Sequence, residues 1–511
     1  VSKQTVDSVI RCEKGDFDRQ SPWGAINETE EEKMHHLLST LKTVIDALGP
    51  TVLLPIVIFF IALILGAKPA RAFRAGVTIG IAFIGINLVI GLMFTSLSGV
   101  AQAIVKNTGL HRDIIDVGWP SAAAIAFGSS VGLWVIPIGI IVNVALLLGG
   151  VTRTLNVDVW NFWHFAFVGS LLVAATGSLT DGLIAASLMA GLALLFADWS
   201  AKAVQEFYEV PGVSVPHLAS AQILPIAIAV NWLIERTPGL RAIQMDTGSI
   251  QKRLGVFGEP MVLGLIIGIV LGLIGFYNAG SLAVVTQKVL ATGIDLAAVM
   301  VLLPRMVKIL MEGLIPVSDA AQQFVRKRSG DREIFVGLDS AILIGHPAAI
   351  ASSLILVPIA ILMSIILPGN RVILFADLAV IPFVVALAAP VCRGNVFRMI
   401  IVGIVTLGLG FYIAGALAPL FTDAARDAHF AIPKNASLIT SIVDGFMWVP
   451  FVVVALVRAL GMGGLAVVLM MIAGTYVLFM RNRAAWERAA GANVAAEAAL
   501  EAATGKARAA E

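Results

Sequence analysis

Charge is what this chain has least of. Only 13% of its 511 residues are Asp, Glu, Lys or Arg, roughly half the share found in soluble globular proteins. At a mean hydropathy of +0.92 the apolar side chains cannot all be hidden in a core surrounded by water, so the chain belongs in lipid. Its length therefore implies no series of soluble domains. The net charge of +2 gives no basic field, and no nucleic-acid partner is expected. Cysteine is almost absent. Cys12 and Cys392 are far apart and the second lies in an apolar run, which argues against disulfides and against a thiolate metal site. Also missing are a phosphate-cradling Gly-rich loop, paired metal-ligand spacings, and any polar stretch long enough to fold as a catalytic domain. No cofactor is expected, and covalent chemistry must come from a partner.

No cleavable leader is visible either, since the first 40 residues are polar and acidic around Glu28 to Lys33 rather than basic and then apolar. Residues 1–40 read as a disordered polar extension. Residues 41–481 read as a membrane domain, and 482–511 as an Ala- and Glu-rich cytoplasmic helix without a site of its own.

Apolar runs dominate what is present. At about 20 residues per crossing, runs such as Ala75 to Val105, Val117 to Thr152, Pro260 to Gln287, Ser340 to Asn370 and Met399 to Thr422 indicate an all-α polytopic membrane protein. Roughly ten to twelve transmembrane helices are expected. Some runs fit one helix badly. The run from Val117 is too long for one crossing and is expected to hold a re-entrant hairpin, Leu378 to Cys392 is too short, and Asp295 interrupts Val289 to Pro304. Basic clusters at Lys68 to Arg74, Arg241 to Arg253, Arg326 to Arg332 and Arg481 to Arg483 mark cytoplasmic ends. The N-terminus is then outside, the C-terminus inside, and the number of crossings odd.

Two polar breaks organise these runs. V-G-L-D-S-A-I-L-I-G-H-P, from Val336 to Pro347, puts Asp339 and His346 inside apolar sequence, and D-I-I-D-V-G-W-P, from Asp113 to Pro120, does the same for Asp116. Further pairs follow in the same order. Leu48 to Pro55 matches Phe257 to Gly264, Val135 to Pro137 matches Leu356 to Pro358, and Asn156 to Phe165 matches Phe375 to Val384, aligning Asp158 with Asp377. Such ordered pairs predict two repeated halves. Polar, Gly- and Pro-containing breaks at matching positions point to a binding site built from discontinuous helices near mid-membrane.

The runs L-G-P-T-V-L-L-P-I-V-I, D-V-G-W-P, N-V-D-V-W-N-F-W-H, V-P-H, F-G-E-P, L-L-P-R and G-L-D-S-A-I-L-I-G-H closely resemble the galactitol-type enzyme IIC. That family is the permease component of the bacterial phosphoenolpyruvate-dependent phosphotransferase system, in the ascorbate/galactitol superfamily. The resemblance covers Leu41 to Arg481, with the motifs in order. It implies a homodimeric, multi-pass permease of the inner membrane, with a dimerising scaffold domain and a core that carries a sugar alcohol by an elevator-like motion. Separate cytoplasmic enzyme IIA and enzyme IIB proteins would serve it. Two rival readings stand beside it: an ion-coupled secondary transporter whose proton relay is Asp116, Asp339 and the histidines, and an intramembrane enzyme acting on lipid.

Seven residues are candidates for holding a polyol: Asp339, Asp116, His217, Glu259, Asn161, His164 and His346. A carboxylate accepts two hydroxyl hydrogen bonds with charge assistance, and ionisable groups in membrane segments usually face a water-filled cavity. The alternative for Asp339 and Asp116 is a helix N-cap, which Asp makes well. Glu259 precedes Pro260 and either meets the sugar or sits at the positive end of a helix. His217 in V-P-H and His346 in G-H-P adjoin helix breakers, so each lines a cavity or bonds between helices. Asn161 and His164, three residues apart, share a helix face beside Trp160 and Trp163. Aromatic faces next to polar groups suit a carbohydrate; Trp160, near Arg153 and Asp158, also fits an interfacial belt.

Overall fold

The computed structural model describes residues 66–108, 112–245, 259–329, 333–374, 376–430 and 437–493, with scattered residues from 55 to 64 and residue 432. The polar extension expected over residues 1–40 lies outside them. The helix Pro69–Thr108 leads into strand β1 (Ile114–Asp116), a helix pair Trp119–Gly128 and Gly132–Leu148, and β2 (Thr154–Asn156). A 3-10 turn Val159–Phe162 follows, then the helices Trp163–Thr176 and Leu179–Tyr208, β3 (Val213–Ser214), and the helices Leu218–Ala221 and Leu224–Arg236. After the helices Pro260–Phe276 and Leu282–Ser329 come β4 (Phe335–Gly337), the helices Ala341–Ile344 and Pro347–Ile366, and β5 (Val372–Ile373). A second 3-10 turn, Leu378–Val380, precedes the short helices Ile381–Val385 and Ala388–Val391, the long helix Val396–Asp427 and β6 (Leu438–Thr440). The helices Trp448–Leu460, Met462–Arg481 and Arg483–Ala489 end the described chain.

Among the described residues six helices are long and apolar enough to cross a membrane, or seven if one bent pair counts as a span. Ten to twelve were expected for the whole chain; the six or seven belong to the described residues alone. The run from Val117 becomes two helices bent by 87°, with Ser129 turning the chain by donating its hydroxyl to the Ala126 carbonyl at 2.6 Å. Leu378 to Cys392 folds as a 3-10 turn and two helices of 5 and 4 residues. Asp295, by contrast, interrupts nothing. The helix Leu282–Ser329 runs through it for 48 residues, and its carboxylate accepts the Ser96 hydroxyl at 2.5 Å.

The all-α expectation misses six short strands. They form two three-stranded sheets of order β5-β1-β6 and β2-β4-β3, and every pairing is parallel. Strands of two or three residues inside apolar runs leave no period in the sequence. Physically they answer a need: main chain that leaves helical geometry away from water must still pair its N–H and C=O groups. Each edge strand is covered by a side chain acting as a further strand would. Asn143 donates to Thr154 O at 2.8 Å and accepts from Asn156 N at 2.9 Å along β2. Gln205 donates to Val213 O at 3.0 Å and accepts from Gly212 N at 3.1 Å along β3. Asn370 does the same for Val372, at 2.9 Å in both directions, along β5. The Thr422 hydroxyl accepts from Ile439 N at 3.0 Å on β6.

The helix Arg483–Ala489, at the start of the tail, packs on the membrane domain. Glu487 is buried and pairs with Arg153 at 2.9 Å, and Arg153 also reaches Glu333 at 3.0 Å. The Trp199 indole donates to Trp486 O at 2.7 Å. The helix Arg483–Ala489 is therefore fixed to the loop that opens β2 and to the helix Leu179–Tyr208.

Gly337 sets how closely β4 lies to its neighbours. A Cβ there would stand 2.8 Å from both Pro216 Cγ and Thr154 Cγ2, and 3.0 Å from Asn156 Cα. All three atoms belong to segments that the sheet fixes, so none can yield cheaply. Gly337→Ala should destabilise the protein by about 1 to 3 kcal/mol, the usual cost of overpacking a tight site. A thermal melt of the purified variant checks this, and an unchanged midpoint would contradict the assigned packing.

Candidate functional site

Parallel pairing gathers the carboxyl ends of three strands at one place in each sheet, as in open α/β folds whose ligands sit beyond the strand ends. The β5-β1-β6 end is chemically closed. Asp116 accepts Gly118 N at 3.0 Å and Asp377 N at 2.8 Å. Asp377 accepts Trp119 N at 2.7 Å, Ile442 N at 2.8 Å and the Ser441 hydroxyl. Both aspartates are fully buried, and every carboxylate oxygen of the pair accepts a proton donor. These bonds hold the turns of the two segments together.

The other end carries different chemistry. Beyond β2, β3 and β4 the chain delivers Asp158, His217 and Asp339. Asp158 and Asp339 each follow by two residues the paired strand ends Asn156 and Gly337. Asn161 donates its amide to Asp158 at 2.7 Å. Asp339 accepts Ala341 N at 2.9 Å, and His217 Nε2 stands 3.8 Å from its Oδ1. The cover differs along the cluster: the Asp339 side chain keeps 18% of its surface accessible, whereas Asp158 keeps 3% and His164 none. Asp339 is thus the carboxylate a solute can reach.

A buried hydrogen-bond chain stands behind it. His217 Nδ1 is 2.9 Å from the Ser340 hydroxyl and 3.2 Å from that of Ser220, and the two hydroxyls are 2.9 Å apart. On the other side His217 Nε2 lies 3.1 Å from His164 Nε2, and His164 Nδ1 lies 2.6 Å from Asp444 Oδ2. Aromatic rings wall the histidines. Trp163 packs on His164 with ring centroids 4.0 Å apart, and Phe383 faces His217 at 5.9 Å.

Of the seven sequence candidates, the structure brings together Asp339, His217, Asn161 and His164. Asp116 belongs to the closed end. His346 caps the helix Pro347–Ile366 by accepting Ala348 N at 3.2 Å, and its ring lies against Phe207 and Tyr208. Glu259 is the N-cap residue of the helix Pro260–Phe276, without a side-chain capping bond. Sequence reasoning missed Ser220, Ser340 and Asp444, and it took Asp158 as a sign of an interfacial setting. Only Asp158 left a usable trace, its alignment with Asp377; Asp444 comes from a D-G turn like many others.

A family model described as the sugar-specific permease component of the PTS system, EIIC-GAT, matches residues 43–436. The PTS system galactitol-specific EIIC component of Escherichia coli K12 is 42% identical over 381 residues, 75% of this chain and 83% of that protein. Its counterpart in Escherichia coli O157:H7 gives the same figures. A putative permease IIC component of Escherichia coli K12 is 36% identical over 442 residues, 86% of this chain and 98% of the relative. With the match spanning most of the chain, and membrane-crossing helices beneath it, this protein belongs to the EIIC-GAT family of phosphotransferase-system sugar permeases, transport subunits that leave phosphoryl transfer to other subunits.

Proposed function

We propose that the cluster beyond β2, β3 and β4 binds a sugar alcohol of the galactitol kind, carries it across the inner membrane, and offers it to a phosphorylated cytoplasmic enzyme IIB that is itself served by enzyme IIA. One observation carries the reading: three parallel strands converge on Asp339, the accessible carboxylate, with Asp158, Asn161, His164 and His217 around it. A polyol offers a donor and an acceptor at every carbon, and a site with two carboxylates, an amide and imidazoles can answer both. The name of the 42% identical relative supports galactitol as the first polyol to try. The ion-coupled alternative is not favoured, because the family draws on a phosphotransferase partner.

The same proposal includes two repeated halves. Its support is the recurring order of elements: strand, broken helix pair, strand, 3-10 turn, shorter helices, a helix of 30 or 32 residues, and strand. The sheets also interlock. β1 pairs with β5 and β6 from the second series, and β4 pairs with β2 and β3 from the first. The helices Pro69–Thr108, Pro260–Phe276 and Leu282–Ser329 pack chiefly on each other, which suits a dimerising scaffold beside an elevator-like core. Gly268 illustrates the tightness of that packing, since a Cβ would meet Thr292 O at 2.5 Å. In this reading residues 41–481 form the permease domain, and the strand ends of the two sheets approach mid-membrane from opposite sides.

Asp339→Asn should leave a folded protein and weaken polyol binding by about tenfold to a hundredfold, the worth of a charge-assisted hydrogen bond. Calorimetry on the purified variant reads this, and wild-type affinity would remove Asp339 from the site. Cys392 is fully buried and Cys12 lies outside the described residues. Replacing both with Ser should therefore leave phosphoryl transfer from labelled enzyme IIB to polyol intact in vesicles, with no label on this chain. Loss of sugar phosphate with binding retained would route the phosphoryl group through a thiol.

A further inference from the structure

Asp444 is fully buried, lies in the turn between β6 and the helix Trp448–Leu460, and takes no part in either sheet. Its backbone has φ of +64°, a left-handed conformation that a residue with a side chain adopts at a cost. The turn is tight enough that the next residue has to be glycine, because a Cβ at Gly445 would stand 2.5 Å from Ser441 O. What holds the turn is the closed end of the first sheet: Asp377 accepts from the Ser441 hydroxyl and Ile442 N. A strained, fully desolvated carboxylate is thus presented to a single ring nitrogen, His164 Nδ1 at 2.6 Å, while its Oδ1 has no hydrogen-bond partner among the described residues.

Proton accounting along the chain gives that contact a consequence. We take Asp444 as a carboxylate and His164 as a neutral ring: the carboxylate can only accept, so His164 carries its hydrogen on Nδ1. Its Nε2 is then a lone pair, and the His217 Nε2 facing it at 3.1 Å donates. His217 Nδ1 is left as an acceptor. One neighbour agrees with this independently: the Ser220 main-chain N–H, which donates to His217 O at 3.1 Å, also reaches Nδ1 at 3.4 Å, and the Ser340 hydroxyl 2.9 Å away is free to donate as well. The same assignment places an N–H, rather than a lone pair, on the His217 nitrogen that stands 3.8 Å from Asp339 Oδ1. A lone pair there would repel the carboxylate that the polyol has to reach.

We propose that Asp444 is a positioning residue for the polyol site: by holding His164 as the Nδ1–H tautomer it fixes His217 as the Nε2–H tautomer beside Asp339. The inference rests on the site assigned above, and tautomer order adds the polarity with which that site meets hydroxyl groups. An amide at position 444 could turn its NH2 toward His164 Nδ1 and move the hydrogen to His164 Nε2. His217 would then have to accept at Nε2 and protonate Nδ1, against the Ser220 N–H.

Imidazole 15N spectra of the histidine-labelled full-length protein in lipid nanodiscs test this without any ligand. His164→Gln and His217→Gln provide the signal assignment. The expected result is Nδ1–H for His164 and Nε2–H for His217 in the wild type, retention of both in Asp444→Glu, and altered tautomers in Asp444→Asn. Galactitol affinity should fall by about tenfold or more in Asp444→Asn and recover in part in Asp444→Glu. Opposite tautomers in the wild type overturn the inference whatever the variants do, including an Asp444→Asn that fails to fold. Unchanged tautomers in a folded Asp444→Asn overturn it equally. Failure of the site assignment looks different: wild-type affinity in Asp339→Asn with the tautomers as expected.

Discussion

A main chain that leaves helical geometry inside a membrane must find a partner for every N–H and C=O group. Most of what is distinctive here follows from that constraint. The broken helices need connecting segments, the connections pair as two small parallel sheets, and the sheet edges are covered by Asn143, Gln205, Asn370 and Thr422. Parallel pairing then has a geometric result: three loops of distant sequence origin begin at one spot. A binding site for a hydroxylated solute needs such a spot, because its polar groups must converge while the surrounding surface stays apolar.

The two sheets use the same architecture for opposite ends. At one, Asp116 and Asp377 are saturated by main-chain N–H groups and the Ser441 hydroxyl and are fully buried. At the other, Asp158 accepts the Asn161 amide, Asp339 accepts one main-chain N–H, and Asp339 is left partly accessible. Two neighbouring carboxylates in a membrane interior are expensive. Donated hydroxyls from a polyol offset that cost directly, which gives the proposed site its affinity and a reason to prefer a polyhydroxy solute over an apolar one. The closed end also serves the open one, because the turn held by Asp377 presents Asp444 to His164.

Much of this was legible in the sequence, unevenly and for physical reasons. Scarce charge identified the membrane class, and the polar breaks around Asp116 and Asp339 located both sheet ends, because a break in an apolar run is visible without knowing what pairs with it. The ordered motifs carried the family. The strands were invisible, since two or three apolar residues have no period. Hydropathy alone did not set where the run from Val117 breaks, which the fold makes two helices bent by 87°. Among the site candidates, His217 and Asp339 sit just past strand ends, where a breaker and a polar residue occur together. His346 has the same sequence signature next to Pro347 yet lies at a helix N-cap against Phe207 and Tyr208, and a local pattern cannot distinguish the two. Asp444 meets His164 across most of the membrane domain, a contact that only the fold supplies.

The most direct test of the account is the structure of the protein with galactitol bound, in a lipid nanodisc. The account predicts ligand density beyond the ends of β2, β3 and β4, with one hydroxyl in hydrogen-bond contact with the Asp339 carboxylate and another within reach of His217 or Asn161. Density seated elsewhere, with no hydroxyl in contact with Asp339, would contradict it.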